Sequence, residues 1–361
     1  MTHSVRPSTS TRVIDKRSHP FLAEDGHEFF DAPERDSHAE VQRERFARDV
    51  LAGFSAAQKF LQSKYFYDAR GSKLFERITE THDYYVTGCE FDVLERCGAD
   101  IVDSLEADAL DVVELGAGDG RKTKVLLTSL LEAGRDVNYM PVDISETAVS
   151  RLVRSVRASH RAARVNGFAG EYFDCLRTLA PQPGRRRLVL FLGSTIGNMD
   201  HPSAMAFLRT LGQHLSDGDY VLIGFDLKKD IDVLMAAYND SEGVTREFNF
   251  NVLRRINREL GGRISVDKFT HYGFYNPIKG AMESYLISLE EQDVAIDALH
   301  RRFHFDPYEG IHLEQSTKYL EKDLPGMANA AGFDSVAQWR CARGWFVDAL
   351  WRVKKPDDRT E

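Results

Sequence analysis

From residue 111 onward, short β-branched runs alternate with stretches in which apolar residues recur every three or four positions. The runs are DVVELGAG, VNYMPVDIS, RRLVLFLG and DYVLIGFD, and such alternation predicts a mainly parallel sheet wrapped by helices. A weaker run near Gly167–Tyr172 supplies a further strand. Upstream, the spacing of Val41, Phe46, Val50, Leu51 and Phe54 predicts an amphipathic helix, and a second covers Ser72–Ile78. After Asp226 the rhythm stops. Residues 229–260 read as helical, whereas 263–290 and 299–306 read as antiparallel strands, as in ISVDKFTHYGFYN and AMESYLISLE. The tail resumes with a helix up to AGF at 331–333. Two strands, SVAQWRC and WFVDALWRV, then close the sheet as an antiparallel hairpin. The chain therefore reads as an α/β core interrupted by a second, α+β lobe.

Composition narrows the picture. With 361 residues, 42% hydrophobic and 29% charged, the chain can bury a substantial core. Residues 1–36 are polar, without sustained periodicity, and are expected to be mobile because they offer little apolar surface to offset the entropy of ordering. A net charge of -9 argues against a nucleic-acid binder, whose affinity rests on clustered Lys and Arg. Cys89, Cys97, Cys175 and Cys341 form no CxxC pair and read as free cytosolic thiols. None of the 12 histidines, among them His271, His304 and His312, has metal-ligand spacing. There is neither an apolar leader nor a run of about 18 apolar residues, so a soluble cytoplasmic protein acting on a small molecule is expected, with no membrane, nucleic-acid or obligate protein partner.

The segment ELGAGDG at 114–120 sets Gly116, Gly118 and Gly120 between a predicted strand and the helix KTKVLLTSLLEAG. Glycine there permits a tight turn and close approach of a cofactor to the backbone. A dinucleotide fingerprint would place glycine where Arg121 stands, so the pattern is GxGxG, not GxGxxG. Glu114 adds an acceptor suited to a methionyl ammonium, which favours S-adenosylmethionine over NAD. Asp143, 23 positions after Gly120, lies where a carboxylate would accept the ribose hydroxyls. The lesser alternative is a turn or N-cap residue before a helix.

Six segments carry a resemblance: KYFYDARGSKLFERITETHDYY at 64–85, ELGAGDGRKT at 114–123, PVDIS at 141–145, FLGSTIGN at 191–198, AAYNDSEGVTREFNFNVL at 236–253 and EQSTKY at 314–319. Across about residues 60–350 the chain resembles the ergothioneine-pathway histidine N-alpha-methyltransferases. The resemblance implies a Rossmann-like methyltransferase core over 91–228, resumed at 321–361. It also implies a substrate lobe built from 37–90 and the insertion 229–320. It places Tyr67, Tyr84, Asn198, Tyr238, Glu314 and Ser316 in the amino-acid pocket, with Met282 at the imidazole end and Tyr67 and Asn198 in the catalytic positions. Glu114, Gly116, Lys122, Asp143, Glu171 and Gly193 fall on the cofactor side. Glu171 stands where the family often has Asp, and Gly88 where a basic residue is expected after Thr87.

The implied reaction is trimethylation of the α-amino group of histidine to its betaine. Asn198 and Tyr238 offer donors to the α-carboxylate, and Glu314 and Ser316 offer partners to the two ring nitrogens. Without the resemblance, YFYD reads as a packing cluster, Asn198 as a turn residue and Glu314 as an exposed helix-start residue. Alternative functions are methylation of another amino acid such as tryptophan or tyrosine, and a non-catalytic metabolite-binding role.

Overall fold

A computed structural model describes residues 34–355. The expectation for residues 1–33 lies outside the described residues. Residues 34–36, expected to be mobile, open helix α1 (Glu34–Ser55), because its first turn precedes the apolar stripe that revealed the helix. Helices α2 (Ala69–Ile78) and α3 (Val86–Asp103) follow.

The core then alternates strand and helix through β1 (Ala109–Leu115), α4 (Arg121–Glu132), β2 (Asp136–Asp143) and α5 (Glu146–Ser159). Two short edge strands, β3 (Arg164–Val165) and β4 (Phe168–Ala169), replace the single run expected near Gly167–Tyr172. Next come α6 (Tyr172–Thr178), β5 (Arg186–Phe191), α7 (His201–Gln213) and β6 (Tyr220–Asp226). Every residue of β6 is buried, and all but the first of β1, as parallel strands covered on both faces require.

Beyond β6 the chain forms α8 (Ile231–Tyr238), α9 (Val244–Leu260), β7 (Phe269–Asn276), β8 (Ala281–Ser288), β9 (Gln292–Ile296), β10 (Arg301–Phe305) and β11 (Gly310–Thr317). It returns through α10 (Leu324–Ala331) to β12 (Phe333–Arg340) and β13 (Phe346–Val353). The large sheet has the order β12-β13-β6-β5-β1-β2-β3, with β4 also on β2. Strands β1, β2, β5 and β6 are parallel, and β13 runs antiparallel between β6 and β12, as the hairpin in the tail predicts. This is the Rossmann-like α/β arrangement.

A three-stranded antiparallel sheet, β11-β8-β7, and the pair β9-β10 make the second lobe. The pattern did not predict β11. A bulge between His312 and Glu314 breaks its alternation, and the residues after it are polar. The lobe's apolar core joins Phe46 and Phe54 of α1 to Phe248 and Leu253 of α9 and Phe305 of β10. Phe54 packs edge-on to Phe303 and Phe305, each at 5.4 Å between ring centres. The chain leaves and rejoins the core at one place: Tyr319 N–H donates to the Asp226 carbonyl at 2.9 Å, and Lys228 N–H to the Tyr319 carbonyl at 2.8 Å. Among the described residues, no helix is long and apolar enough to cross a membrane.

Candidate active site

The glycine loop sits at the carboxyl end of β1, where parallel α/β sheets open their ligand crevice. Gly116 has φ +76, and a Cβ there would lie 2.7 Å from the Tyr172 hydroxyl. Asp143, at the end of β2, accepts from Ser145 N–H at 2.9 Å and from Gly118 N–H at 3.3 Å. It therefore shapes both loops of the crevice, while Ser145 caps α5. Glu114 departs from expectation. Its buried carboxylate accepts from Thr123 and Tyr139, so both oxygens are engaged beneath the loop rather than offered to a ligand. Burial raises its pKa to about 7 against those two hydrogen bonds. Exposed Glu171 pairs with Arg45 of α1 at 3.1 Å, and its neighbour Tyr172 is the residue that reaches the glycine turn.

Glu90 of α3 ties the other rim together. Its fully buried carboxylate accepts the Gly193 N–H at 2.8 and 2.9 Å and pairs with Lys122. Room for it exists because residue 224 in β6 is glycine: a Cβ there would lie 2.2 Å from Glu90 Oε1. Buried Asp348 of β13 lies close by, its pKa raised by burial and then by the Glu90 charge. Sequence reasoning missed Glu90, although one acid inside the apolar stripe Val86, Cys89, Val93 and Leu94 was a visible signal.

Facing this rim are three tyrosines from three separate elements: Tyr67 after the turn Ser63–Phe66, Tyr84 before α3, and Tyr238 ending α8. Tyr67 packs edge-on to Phe75 and Phe248. Its hydroxyl pKa is raised by burial among protein atoms, then by the fields of Glu314, Tyr84, Tyr172 and Tyr238. Tyr67 nevertheless stays 41% exposed. Burial first, then charges that include Glu314 and Asp226, raises the pKa of Tyr84 and Tyr238 and keeps both protonated.

Glu314 and Ser316 lie two apart on β11 and share one of its faces. Glu314 is no exposed helix-start residue. Burial pushes its pKa up to about 7, with Lys318 opposing. Lys318, two residues further on, is 2% exposed and donates to Tyr238 Oη at 2.9 Å and Ser316 Oγ at 2.8 Å. Its charge is matched by Asp226 at 2.8 Å, which also accepts from Tyr85 and Lys229. Burial raises the Asp226 pKa, but Lys318 and Lys229 outweigh it and hold the carboxylate ionised. None of these supports was singled out from sequence. Glu314, Ser316 and Lys318 alternate at the period of a strand, which was the available signal.

Exposed Asn198 ends the turn Thr195–Asn198. That turn seats on β11, since a Cβ on Gly197 would lie 3.0 Å from the Thr317 carbonyl and 3.4 Å from Ser316 Oγ. Met282 differs from expectation: on the central strand β8 it has no accessible surface and packs among Tyr84, Tyr238 and Tyr275, behind the cleft wall. Among the described residues, no group of three or more His, Cys, Asp or Glu could hold a metal.

A family model described as SAM-dependent, histidine-specific methyltransferase matches residues 46–353. The chain belongs to this family. The histidine N-alpha-methyltransferase of Mycobacterium tuberculosis is 36% identical over 299 residues, 83% of this chain and 92% of that protein. Its namesake from Mycolicibacterium smegmatis is 36% identical over 311 residues, covering 86% and 94%. Ergothioneine biosynthesis protein 1 of Schizosaccharomyces pombe is 29% identical over 287 residues, 77% of this chain and 37% of that longer protein.

The cofactor of this methyltransferase is S-adenosylmethionine, and the residues present fit it. The cradle at Gly116 closes if a side chain is added, and the Asp143 carboxylate beside the Gly118 N–H, together with Lys122 and Gly193 joined through Glu90, would hold the cofactor.

Proposed function

We propose that this methyltransferase acts on the α-amino group of free L-histidine. Three transfers give the betaine hercynine, the first step toward ergothioneine. The observation that carries this reading is the pairing of Glu314 with Ser316 on one face of β11. Lys318 donates to Ser316 Oγ, so the serine O–H, which also meets Tyr238, turns away from the ammonium and can donate while Glu314 accepts. An imidazole has one N–H and one bare nitrogen, and so uses both partners. An indole N–H uses only the acceptor, and a phenol has no ring nitrogen. A site built for such hydrogen bonds rejects analogues lacking them by as much as about 10⁴-fold.

Tyr238 accepts from Lys318 in the same way, leaving its O–H, together with the Asn198 amide, for the substrate carboxylate. Tyr67 stays neutral and accepts an amine N–H, which turns the nitrogen lone pair into the cleft. Bound S-adenosylmethionine supplies an electrophilic methyl on sulfonium. The protein's share is chiefly orientation, because the displacement moves one positive charge from sulfur to nitrogen and creates no new one. As donors on the amine are lost, the faces of Tyr67 and Tyr84 hold the growing cation, worth about 0.5–2 kcal/mol per contact. In this reading α1, α2, α8, α9 and β7–β11 form the substrate lobe of a cytoplasmic enzyme that needs no nucleic-acid or protein partner.

The test is the product mass spectrum with S-adenosylmethionine and each of histidine, tryptophan and tyrosine. The reading expects mono-, di- and trimethylhistidine only, with Glu314→Ala losing the preference. No methylated histidine from a folded, cofactor-binding enzyme would overturn it.

A further inference from the structure

Two of the four cysteines meet where α3 passes the β12–β13 turn. Cys89 of α3 and Cys341, which opens the turn, are both buried in one cluster, and the Ala342 N–H beside Cys341 donates to Asp92 of α3 at 2.6 Å. The Trp345 N–H also donates to Cys341 Sγ at 3.3 Å. Residues 342–344 beside it are exposed, which places this turn at the protein surface. The hydrogen bond from Cys89 and the backbone N–H groups lower the Cys341 pKa to about 5, whereas burial raises that of Cys175 to about 11. A stabilised thiolate beside a second thiol is the arrangement from which disulfides form.

The position gives the pair leverage. Cys89 immediately precedes Glu90, the residue that holds Gly193 and Lys122 on the cofactor rim. On the other side, Trp345 packs edge-on to Tyr85 at 5.4 Å, and Tyr85 donates to Asp226 beneath the substrate pocket. A bond between the sulfurs brings them to about 2.05 Å, and any shift of Cys89 is passed to Glu90, the next residue in the chain.

We propose that Cys89 and Cys341 are a reversible, hydroperoxide-sensitive disulfide pair whose closure weakens cofactor binding through Glu90. The Cys341 thiolate attacks the peroxide oxygen, the O–O bond breaks, and water leaves after protonation, giving a sulfenic acid. The Cys89 sulfur, losing its proton, attacks that sulfenic sulfur. The S–O bond breaks, a second water leaves, and the S–S bond forms. Two electrons from the thiols reduce one hydrogen peroxide to two waters.

The experiment treats the full-length wild-type enzyme with hydrogen peroxide and reads a non-reducing peptide map, a thiol count and the Kd of S-adenosylhomocysteine. The expected result is a crosslinked 89–341 peptide, a fall from four thiols to two, and a Kd raised about tenfold, as for loss of one charge-assisted hydrogen bond. Dithiothreitol restores all three. Cys89→Ser and Cys341→Ser abolish the change, whereas Cys97→Ser keeps it. Peroxide consuming other thiols first, or an 89–341 crosslink with unchanged Kd, would overturn the proposal. The map and count need no variant to fold, and the link to cofactor rests on the reading above. Histidine turnover by reduced enzyme, measured separately, shows which of the two has failed.

Discussion

The Lys318 ammonium lies 2.8 Å from the Asp226 carboxylate with both side chains sealed from water, and the same ammonium donates to Tyr238 and Ser316. Removing one partner of a buried pair leaves an uncompensated charge, costing about 3 kcal/mol or more. Lys229 remains beside Asp226 to soften the loss. Lys318→Met is therefore expected to lower stability by about 3 kcal/mol in urea denaturation and to raise the histidine KM at least about tenfold, with a smaller change in kcat. An unaltered KM in the folded variant would mean that Lys318 does not position the pocket.

Glu314 gives a pH signature with a definite sign. Its folded pKa of about 7 stands above the ordinary 4.5, so between these values the folded state holds a proton that the unfolded chain releases. Stability contributed by the neutral acid is present at low pH and is lost as pH rises through about 7. Glu314→Gln should thus be stabilised relative to wild type at pH 8 but not at pH 4, by at most about 3 kcal/mol. Histidine binding runs the other way. The carboxylate accepts the imidazole N–H only once ionised, so wild-type KM should show a fall across about pH 7 that is missing in Glu314→Gln. Parallel KM profiles for the two proteins would contradict this.

Glu90 is expected to act on the cofactor rather than on histidine. Glu90→Gln keeps the shape but removes the charge paired with Lys122. The Kd of S-adenosylhomocysteine should rise about 10- to 100-fold, read by calorimetry, while histidine KM at saturating cofactor changes little. The reverse split would place Glu90 on the substrate side.

Gly116→Ala tests the cradle directly. With φ +76 and the Tyr172 hydroxyl 2.7 Å from the added methyl, both backbone and neighbour must move. The outcome should be at least about a tenfold loss of cofactor affinity, partly recovered by adding Tyr172→Phe. Wild-type affinity in the single variant would show that the loop has room to spare.

The parallel core was legible because strands covered on both faces leave unbroken apolar runs, and β1, β2, β5 and β6 each carry one. Strand β11 was not, because a bulge and a row of polar site residues erase its alternation. Function hid structure there. The family motifs led to Tyr67, Tyr84, Asn198, Tyr238, Glu314 and Ser316; the fold seats the Asn198 turn on the strand of Glu314 and Ser316 and joins Ser316 to Tyr238 through Lys318. What they did not reveal was support: Glu90 behind Lys122, and Lys318 with Asp226 behind Tyr238. Such partners are set by tertiary proximity, and Lys318 and Asp226 stand far apart in the chain. Glu114 misled because its place ahead of the glycines says nothing of which way a side chain at a strand end turns.

The aromatic contact between Phe54 and Phe303 has a consequence for biosynthesis. The N-terminal helices leave the ribosome long before β9, β10 and β11 exist, so their apolar faces wait without a partner while most of the central strands are already being made. Domains generally fold as units during synthesis, yet this lobe cannot mature until nearly the whole chain has been translated, and the hairpin that completes the large sheet arrives later still. Nascent chains halted before residue 300 should therefore leave α1 open to protease, and release of the finished protein should protect it.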